Sequence, residues 1–311
     1  MQFFDDVAEV PSDFGPSAVT VGKFDGVHLG HRAVLDALRT AGEAEGLAST
    51  VVTFDRNPLS LFAPEKCPVA LVSNRQKVEL LADAGVDATL MLRFDRELAG
   101  VSAEDFVSQI LVGTLHARLV LAGSDFRFGA KAAGDIALLR ALGAEHGFEV
   151  QLIEDVCTEG DGRRTSSTWV RELLEEGRVR EAAELLGRPH SIRSTVVRGE
   201  ARGRDLGFPT ANLAPELEGF RPADGVYATW AVVDGVRYPA ATSIGNNPTF
   251  EGVPEHRVEA YLIDQSVDLY GREIELEFVD YIRAMNRFDS VDALVAQLGR
   301  DVERIREILA T

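Results

Sequence analysis

The sequence has few cysteines: Cys67 and Cys157 are the only two among its 311 residues. They offer neither a disulfide framework nor the paired spacing of a zinc site. The six histidines are scattered apart from His28 and His31, so we expect no zinc centre. A basic segment followed by an apolar run is also missing, as is any apolar stretch of bilayer length. We therefore predict a cytoplasmic protein that has no membrane partner.

Positive charge is scarce as well. The chain carries 32 lysines and arginines against 50 aspartates and glutamates, which gives a formal net charge of −18. Such a surface repels polyanions, so we expect no nucleic-acid partner. Any anionic substrate must be held by local donors that act against the overall field. The length of 311 residues predicts two domains.

The first half of the sequence alternates short apolar strands with helical patterns. Predicted strands lie near 18–24, 48–54, 88–94, 118–123 and 148–153, and predicted helices near 31–45, 74–85, 103–114 and 135–146. This alternation predicts an α/β fold with a doubly wound parallel sheet, in which ligands bind beyond the carboxyl ends of the strands. A further helix is predicted over 168–186 and is closed by Gly187.

After Pro189 the pattern changes to closely spaced short strands. They are predicted over 191–198, 225–233, 236–244, 257–263 and 273–281. Asp234-Gly235 between two of them indicates a hairpin, and the whole set indicates a small antiparallel β-barrel. A C-terminal helix with one apolar stripe follows Asp289-Ser290 and is expected to pack on the barrel. The predicted domains are therefore 1–187 and 188–311.

The most informative stretch of the first half runs from 19 to 31. It reads as an apolar strand, a glycine-containing turn and a helix that begins near His28 and His31. Residues three apart lie on one face of a helix, so the two imidazoles are expected side by side. The first turn of a helix also offers free N–H groups and the positive end of the helix dipole. The stretch therefore predicts a phosphate-binding site, although a pair of ordinary surface histidines is the alternative.

The ten residues GKFDGVHLGH, 22–31, resemble the G-x-F-D-G-x-H-x-G-H box of the FMN adenylyltransferase branch of the HIGH-motif nucleotidylyltransferases. Three further stretches, 53–58, 122–129 and 165–171, resemble other boxes of that family. The resemblance implies that His28 and His31 act on the phosphates of ATP. It also implies nucleotide contacts from Gly22, Phe24, Asp25, Gly26, Asp125, Arg164, Ser167, Thr168 and Arg171, and flavin contacts from Phe62 and Phe128.

The second informative stretch, 198–212, has three glycines at four-residue intervals interleaved with arginines. A flexible loop of this kind presents N–H donors that suit phosphate, but the spacing is not that of a Walker loop. Thr210 and Asn212 are two apart in an extended segment and therefore share one side. Their oxygens suit Mg²⁺, which keeps few protein ligands. Without context, a glycine-rich surface loop is the simpler interpretation.

Residues 199–212 resemble the G-x-x-x-G-R-x-x-G-x-P-T-A-N box of riboflavin kinases, and 225–228, 243–250 and 268–271 resemble later boxes of the same family. This resemblance implies that Glu259 is the general base and that Thr210 and Asn212 hold Mg²⁺. It implies nucleotide contacts from Gly199, Arg202, Gly203 and Gly207. Together the boxes resemble those of bifunctional FAD synthetases, for which ATP, riboflavin, FMN and FAD are substrates and products.

Three positions depart from the family patterns. Asn57 stands where a histidine is usual, Thr165 where an isoleucine is usual, and Met285 where a glutamate is usual. They leave open a flavin-binding regulator with one activity weakened or lost. A nucleotidylyltransferase with another acceptor is a second alternative, which the kinase boxes argue against. The oligomeric state is not predicted.

Overall fold

A computed structural model describes residues 1–153, 162–199, 206–245, 257–265 and 267–310 of the chain. The chain divides into two compact units, Met1–Ser166 and Ser167–Thr311. The predicted domain limit at 187/188 lies after two helices that pack with the second unit. Within the described residues, no helix is long and apolar enough to cross a membrane.

The first unit is built on a six-stranded parallel sheet. Its strands are β1 (Gln2–Phe4), β2 (Ser17–Val21), β3 (Ala48–Phe54), β4 (Ala88–Leu92), β5 (Ala117–Gly123) and β6 (Glu149–Ile153). They lie in the order β1-β4-β3-β2-β5-β6, and each neighbouring pair is parallel. The predicted parallel sheet is confirmed. The three-residue β1 is an addition, since so short a strand carries no periodic signal in the sequence.

Helices cover both faces of this sheet. They are α1 (Leu29–Glu45), α2 (Leu59–Phe62), α3 (Asn74–Asp83), α4 (Ala103–Asp105, continued by a π-helix over Phe106–Thr114) and α5 (Ile136–His146). Short 3₁₀ turns occur at Val7–Glu9, Pro64–Lys66, Leu98–Gly100 and Ala130–Ala132. On β3, Val51 packs in one cluster with Leu35 of α1, whereas the adjacent Val52 packs in another cluster with Leu139 of α5. Consecutive valines thus face opposite helical layers, which is the doubly wound arrangement.

Strand β2 ends earlier than predicted. The apolar pattern suggested a strand to residue 24, but β2 stops at Val21. Gly22 follows, and Phe24 has a left-handed φ of 48°, which no strand residue adopts. The chain therefore turns away from the sheet at its carboxyl end and enters α1 through a loop.

The second unit begins with two short helices, α6 (Ser167–Glu175) and α7 (Val179–Leu186). A single helix over 168–186 was predicted, and that prediction is wrong. Gly177 between them has φ of 75°, which interrupts the helical hydrogen bonds and permits a tight connection. The predicted stop is present, because Gly187 closes α7 with φ of 71°.

The rest of the second unit is a closed barrel and a helix. The barrel strands are β7 (His190–Val197), β8 (Ala211–Leu213), β9 (Gly225–Val233), β10 (Val236–Gly245), β11 (Arg257–Leu262) and β12 (Glu273–Arg283), and α8 spans Val291–Leu309. They close in the order β10-β11-β8-β7-β12-β9. Both residues of the predicted hairpin turn, Asp234 and Gly235, have positive φ, as a type I′ turn requires. Val302 and Ile305 of α8 pack with Ala228 of the barrel, so the predicted packing is confirmed.

Candidate active sites

His28 and His31 lie against each other at the start of α1. His28 is the N-cap residue, and its Nδ1 accepts a hydrogen bond from the backbone N–H of His31 at 3.3 Å. The two rings are stacked, with centroids 3.7 Å apart and planes inclined by 20°. Since Nδ1 of His28 accepts this bond, Nε2 is the atom of its ring that can donate one. The structure thus brings together the two imidazoles that the sequence placed on one helix face.

His31 is held as a neutral ring. Burial, followed by charge interactions with His28, Lys23, Arg164 and Lys77, lowers its pKa well below 6.5. Its Nδ1 is buried and has no hydrogen-bond partner among the described residues. The ring of Phe24, itself 3% exposed, packs against it at 5.1 Å. Phe24 therefore supports His31 from the core.

The β2–α1 loop and the first turn of α1 both depend on glycines. A Cβ on Gly30 would lie 3.1 Å from the His28 ring, so a side chain there would displace the imidazole. Gly26 has φ of 81°, and the next residue, Val27, has φ of 39°. A β-branched residue in this region is strained, and such strain persists only where surrounding contacts fix the backbone. The loop is thus a fixed conformation at the mouth of α1.

Asp25 anchors this loop, and the charge of Asp25 acts on the buried Lys77. Asp25 Oδ1 accepts a hydrogen bond from the backbone N–H of Leu71 at 2.8 Å, which anchors the loop to the segment before α3. Lys77 is only 6% exposed, and its Nζ donates to the carbonyl of Phe54 at 2.8 Å. Burial lowers the Lys77 pKa, while Asp25 and Asp55 oppose that shift. Sequence reasoning missed Lys77; it shares an α3 face with Leu81, where an apolar residue is usual.

Arg164 and Asp125 form an ion pair in the same unit. Arg164 Nη1 donates to Asp125 Oδ2 at 3.0 Å, and both side chains are more than half exposed. The charge of Arg164 also acts on His31. The carbonyl of Thr165 lies 3.6 Å from the Cβ position of Gly30. The segment before α6 thus lies close to the start of α1, and the Arg164–Asp125 pair joins it to the loop after β5.

An aromatic pocket of about 490 Å³ adjoins Val21 and Gly22. Six phenylalanines line it, namely Phe54, Phe62, Phe94, Phe106, Phe126 and Phe128. Phe62 is 67% exposed, whereas Phe128 is 6% exposed and stacks on Phe126 at 5.4 Å. The two predicted flavin residues therefore line one pocket. The other four were missed, because a phenylalanine in an apolar pattern reads as core.

Asn57, one of the departures from the family pattern, lies on the wall of this pocket. Its Oδ1 accepts a hydrogen bond from the backbone N–H of Leu59 at 3.1 Å. This bond supports the start of α2, the short helix that ends at Phe62. Asn57 thus has a local structural role that places Phe62.

The remaining predicted residues of the adenylyl-transfer site lie on α6, in the second compact unit. Ser167 is half-buried, Thr168 is exposed and Arg171 is 8% exposed. Their contact with a nucleotide stays a prediction.

A second group of polar residues lies on the barrel. The hydroxyl of Thr210 donates to Glu259 Oε2 at 3.3 Å, and Asn212 of β8 is paired with Glu259 of β11 in the strand register. Thr210, Asn212 and Glu259 are each half-buried. A Cβ on Gly199 would lie 2.3 Å from Asn212 Nδ2, so only glycine leaves room for this carboxamide. The predicted metal pair and the predicted base therefore converge on one place.

Other predicted residues of this site are only partly described. Gly207 has φ of 84° and open space around it, as expected of a turn that a ligand approaches. Arg202 and Gly203, and the part of the 243–250 box from 246 onwards, lie outside the described residues. In the described part of the chain, no group of three or more His, Cys, Asp or Glu side chains could hold a metal ion.

Comparison with known families assigns both halves. Residues 10–169 match the model of the family described as FAD synthetase, and residues 186–309 match that of riboflavin kinase. The chain is 42% identical over 290 residues to the bifunctional riboflavin kinase/FMN adenylyltransferase of Escherichia coli K12, with 93% of this chain and 91% of that protein covered. The chain belongs to the bifunctional riboflavin kinase/FMN adenylyltransferase family. Its function is accordingly bifunctional, with an FAD synthetase domain followed by a riboflavin kinase domain.

Other members of the bifunctional family are similar over the same length. The Haemophilus influenzae relative is 37% identical over 287 residues, with 92% of each chain covered. The fold is also similar to a crystal structure of a Streptococcus pneumoniae protein named a macrolide-efflux protein, with a TM-score of 0.87, 32% identity and 98% of each chain covered. That likeness supports the arrangement of a parallel sheet followed by a barrel and a helix.

Proposed function

We propose that the first domain transfers AMP from ATP to FMN, and that the second phosphorylates riboflavin with ATP. The observation that carries the first assignment is the stacked imidazole pair at the mouth of α1, next to an aromatic pocket of flavin size. The domain limits 1–187 and 188–311 are supported by the two family matches, 10–169 and 186–309. A cytoplasmic location is supported by the need for ATP.

Adenylyl transfer asks the protein to align reactants and stabilise charge, not to form a covalent intermediate. A phosphate oxygen of FMN attacks the α-phosphorus of ATP, the bond to the bridging oxygen breaks, and pyrophosphate leaves. The rings of His28 and His31 and the N–H groups of the α1 first turn are suited to donate hydrogen bonds to the phosphates. Arg164 adds fixed positive charge. Ser167, Thr168 and Arg171 are proposed to bind the nucleotide as well.

Phosphorylation of riboflavin needs a base beside an activated phosphate. Glu259 is proposed to accept the proton of the ribityl 5′-hydroxyl. The hydroxyl oxygen attacks the γ-phosphorus of ATP, and ADP leaves. The hydrogen bond from Thr210 orients the Glu259 carboxylate, and the register beside β8 fixes its strand. The role therefore rests on the convergence of these residues, not on Glu259 alone.

The same group fits Mg²⁺. A hydroxyl, a carboxamide and a carboxylate supply the oxygen atoms that this ion prefers, and Gly199 leaves space beside the carboxamide. We propose that Thr210 and Asn212 hold the ion. When bound, Mg²⁺ would neutralise phosphate charge and so favour attack at the γ-phosphorus.

One chromatographic time course tests both assignments. The protein is incubated with riboflavin, ATP and Mg²⁺, and FMN is resolved from FAD. Glu259→Gln is expected to abolish FMN formation from riboflavin while FMN supplied directly is still converted to FAD. The double variant His28→Ala, His31→Ala is expected to form FMN from riboflavin as the wild type does, but no FAD. Equal loss of both activities in either variant would contradict the division, and flavin binding without ATP consumption would favour a regulator.

A further inference from the structure

Lys23 is a motif residue to which the proposed function gives no role. Lys23 is exposed and is one of the residues that line the aromatic pocket, beside Val21 and Gly22. Its charge also acts on His31, whose pKa it helps to lower after burial and His28. Lys23 therefore borders the aromatic pocket and also acts electrostatically on the imidazole pair.

The backbone that carries Lys23 is fixed on both sides. The N–H of Gly22 donates to the carbonyl of Val52 at 3.0 Å, and the hydroxyl of Thr53 donates to the carbonyl of Lys23 at 3.2 Å. The next residue, Phe24, is buried. Among the described residues, the Lys23 ammonium itself makes no hydrogen bond or ion pair. An anchored backbone thus presents an unneutralised cation to the pocket.

Two other cations line the same pocket, but their surroundings differ. Arg127 is 3.7 Å from Asp135, which neutralises part of its charge. Lys131 lines the pocket without contributing to the shift of the His31 pKa. Lys23 is therefore the pocket cation that acts on both the pocket and the imidazole site.

The proposed reaction needs a cation at this junction. The acceptor phosphate and the ATP phosphates are both anions, and their approach is opposed by mutual repulsion. The chain has a net charge of −18, so its overall field makes this worse. The His31 ring is neutral, and Arg164 and Lys77, which also act on it, do not line the aromatic pocket. A lysine ammonium can bind one phosphate without imposing the planar, two-pronged geometry of an arginine guanidinium.

We propose that Lys23 binds the phosphate of the acceptor, a phosphomonoester joined to a planar ring system, and directs one of its oxygens toward the α-phosphorus of ATP. This inference rests on the proposed adenylyl transfer to FMN. In that step the acceptor oxygen forms a bond to the α-phosphorus, the α–β bridging bond breaks, and pyrophosphate leaves with the electron pair. Lys23 binds and orients the phosphate and takes no part in these bond changes.

The test compares Lys23→Met with Lys23→Arg and with a matched control, Lys66→Met. Lys66 is exposed and does not line the pocket, so its substitution removes the same charge elsewhere. Initial rates of FAD formation from FMN and ATP are measured at several concentrations of each substrate. In Lys23→Met the KM for FMN is expected to rise about tenfold or more, because a charge-assisted hydrogen bond is lost. The KM for ATP is expected to stay within about twofold.

The other variants set the limits of the proposal. Lys23→Arg keeps the charge and is expected to retain a KM for FMN close to that of the wild type, as is Lys66→Met. An unchanged KM for FMN in Lys23→Met would overturn the proposal, as would an equal rise of both KM values. If the wild-type protein forms no FAD from FMN and ATP, the proposed function fails first, and the two failures are thereby distinguished.

Discussion

The ammonium of Lys77 donates a hydrogen bond to the carbonyl of Phe54, 2.8 Å away at the carboxyl end of β3. Asp25 of the motif loop and Asp55 of the sheet edge are the carboxylates that act on this buried charge. The same ammonium helps to keep His31 neutral. One lysine of α3 is thus coupled to the loop, the strand end and the imidazole pair, without being part of the sequence motifs.

Replacing Lys77 with methionine should therefore weaken FAD formation and leave riboflavin phosphorylation nearly unchanged. Lys77→Met keeps the length of the side chain but leaves the Phe54 carbonyl unpaired, which we expect to cost about 1–3 kcal/mol of unfolding free energy. With Asp25 less well held, kcat/KM for FAD formation should fall about tenfold, an effect of about 1.4 kcal/mol. Riboflavin phosphorylation should stay within about twofold. Steady-state assays of each activity measure the kinetic effects and urea unfolding measures the loss of stability, with Lys66→Met as the control for both.

A loss of stability with normal FAD formation in Lys77→Met would restrict Lys77 to a structural role. Equal loss of both activities would indicate general damage to the fold instead.

Gly199→Ala should weaken the phosphorylation of riboflavin. The new Cβ would lie 2.3 Å from Asn212 Nδ2 and must displace the carboxamide that we propose holds Mg²⁺. We expect riboflavin phosphorylation to fall about tenfold or more and the half-saturating Mg²⁺ concentration to rise, because one metal ligand is moved. FAD formation from FMN should not change. Titration of kinase activity with Mg²⁺ makes the measurement.

The matched control for Gly199→Ala is Gly299→Ala. Gly299 lies in α8 and has no atom within 4 Å of its Cβ position, so alanine fits there and suits a helix. Kinase activity that is normal in both variants would show that the position of Asn212 does not matter to catalysis.

The sequence predicted the layered architecture and the pairing of the histidines, because both depend on short-range periodicity. Alternating strands and helices indicated the parallel sheet, and the three-residue spacing placed His28 beside His31. The contact between Thr210 and Glu259 joins residues 49 apart, and it depends on a strand register that local patterns do not specify. The family resemblance, not periodicity, proposed that pair.

Buried charge was the main thing that the sequence could not indicate. Lysines are usually exposed, so the position of Lys77 on the apolar face of α3 does not distinguish it from a solvated residue. Its environment depends on Phe54 and Asp25, which come from other segments of the chain. The short strands β1 and β8 were missed for a related reason, since three residues carry too little pattern.

Arg283 and Asp301 should contribute strongly to the stability of the second unit. Arg283 donates to Asp301 through Nε at 2.9 Å and Nη2 at 2.7 Å, and the Asp301 side chain is 4% exposed. Asp301→Ala leaves a partly buried guanidinium unpaired, so we expect a loss of about 3 kcal/mol of unfolding free energy. Both tryptophans, Trp169 and Trp230, lie in this unit, so urea unfolding followed by tryptophan fluorescence reports on it.

The control for Asp301→Ala is Asp264→Ala. This variant removes an exposed ion-pair partner of Arg306, a residue of α8 like Asp301. A solvated pair contributes little, so we expect a loss below about 1 kcal/mol. The double variant Arg283→Met, Asp301→Leu should recover most of the stability, because it removes both buried charges. Similar losses in Asp301→Ala and Asp264→Ala would refute the special role of the buried pair.

His190 should make the stability of the second unit depend on pH. Its Nε2 lies 2.6 Å from the Phe220 carbonyl, and burial lowers its pKa from 6.5 to about 4. Because the unfolded state binds a proton more readily, the stabilisation is complete above pH 6.5 and is lost as pH falls toward 4. The loss should reach about 3 kcal/mol. His190→Gln removes the ionisable group, so the unfolding free energy of this variant should change less between pH 7 and pH 4 than that of the wild type. Tryptophan fluorescence measures both. An equally steep pH dependence in the two proteins would assign the effect to other groups.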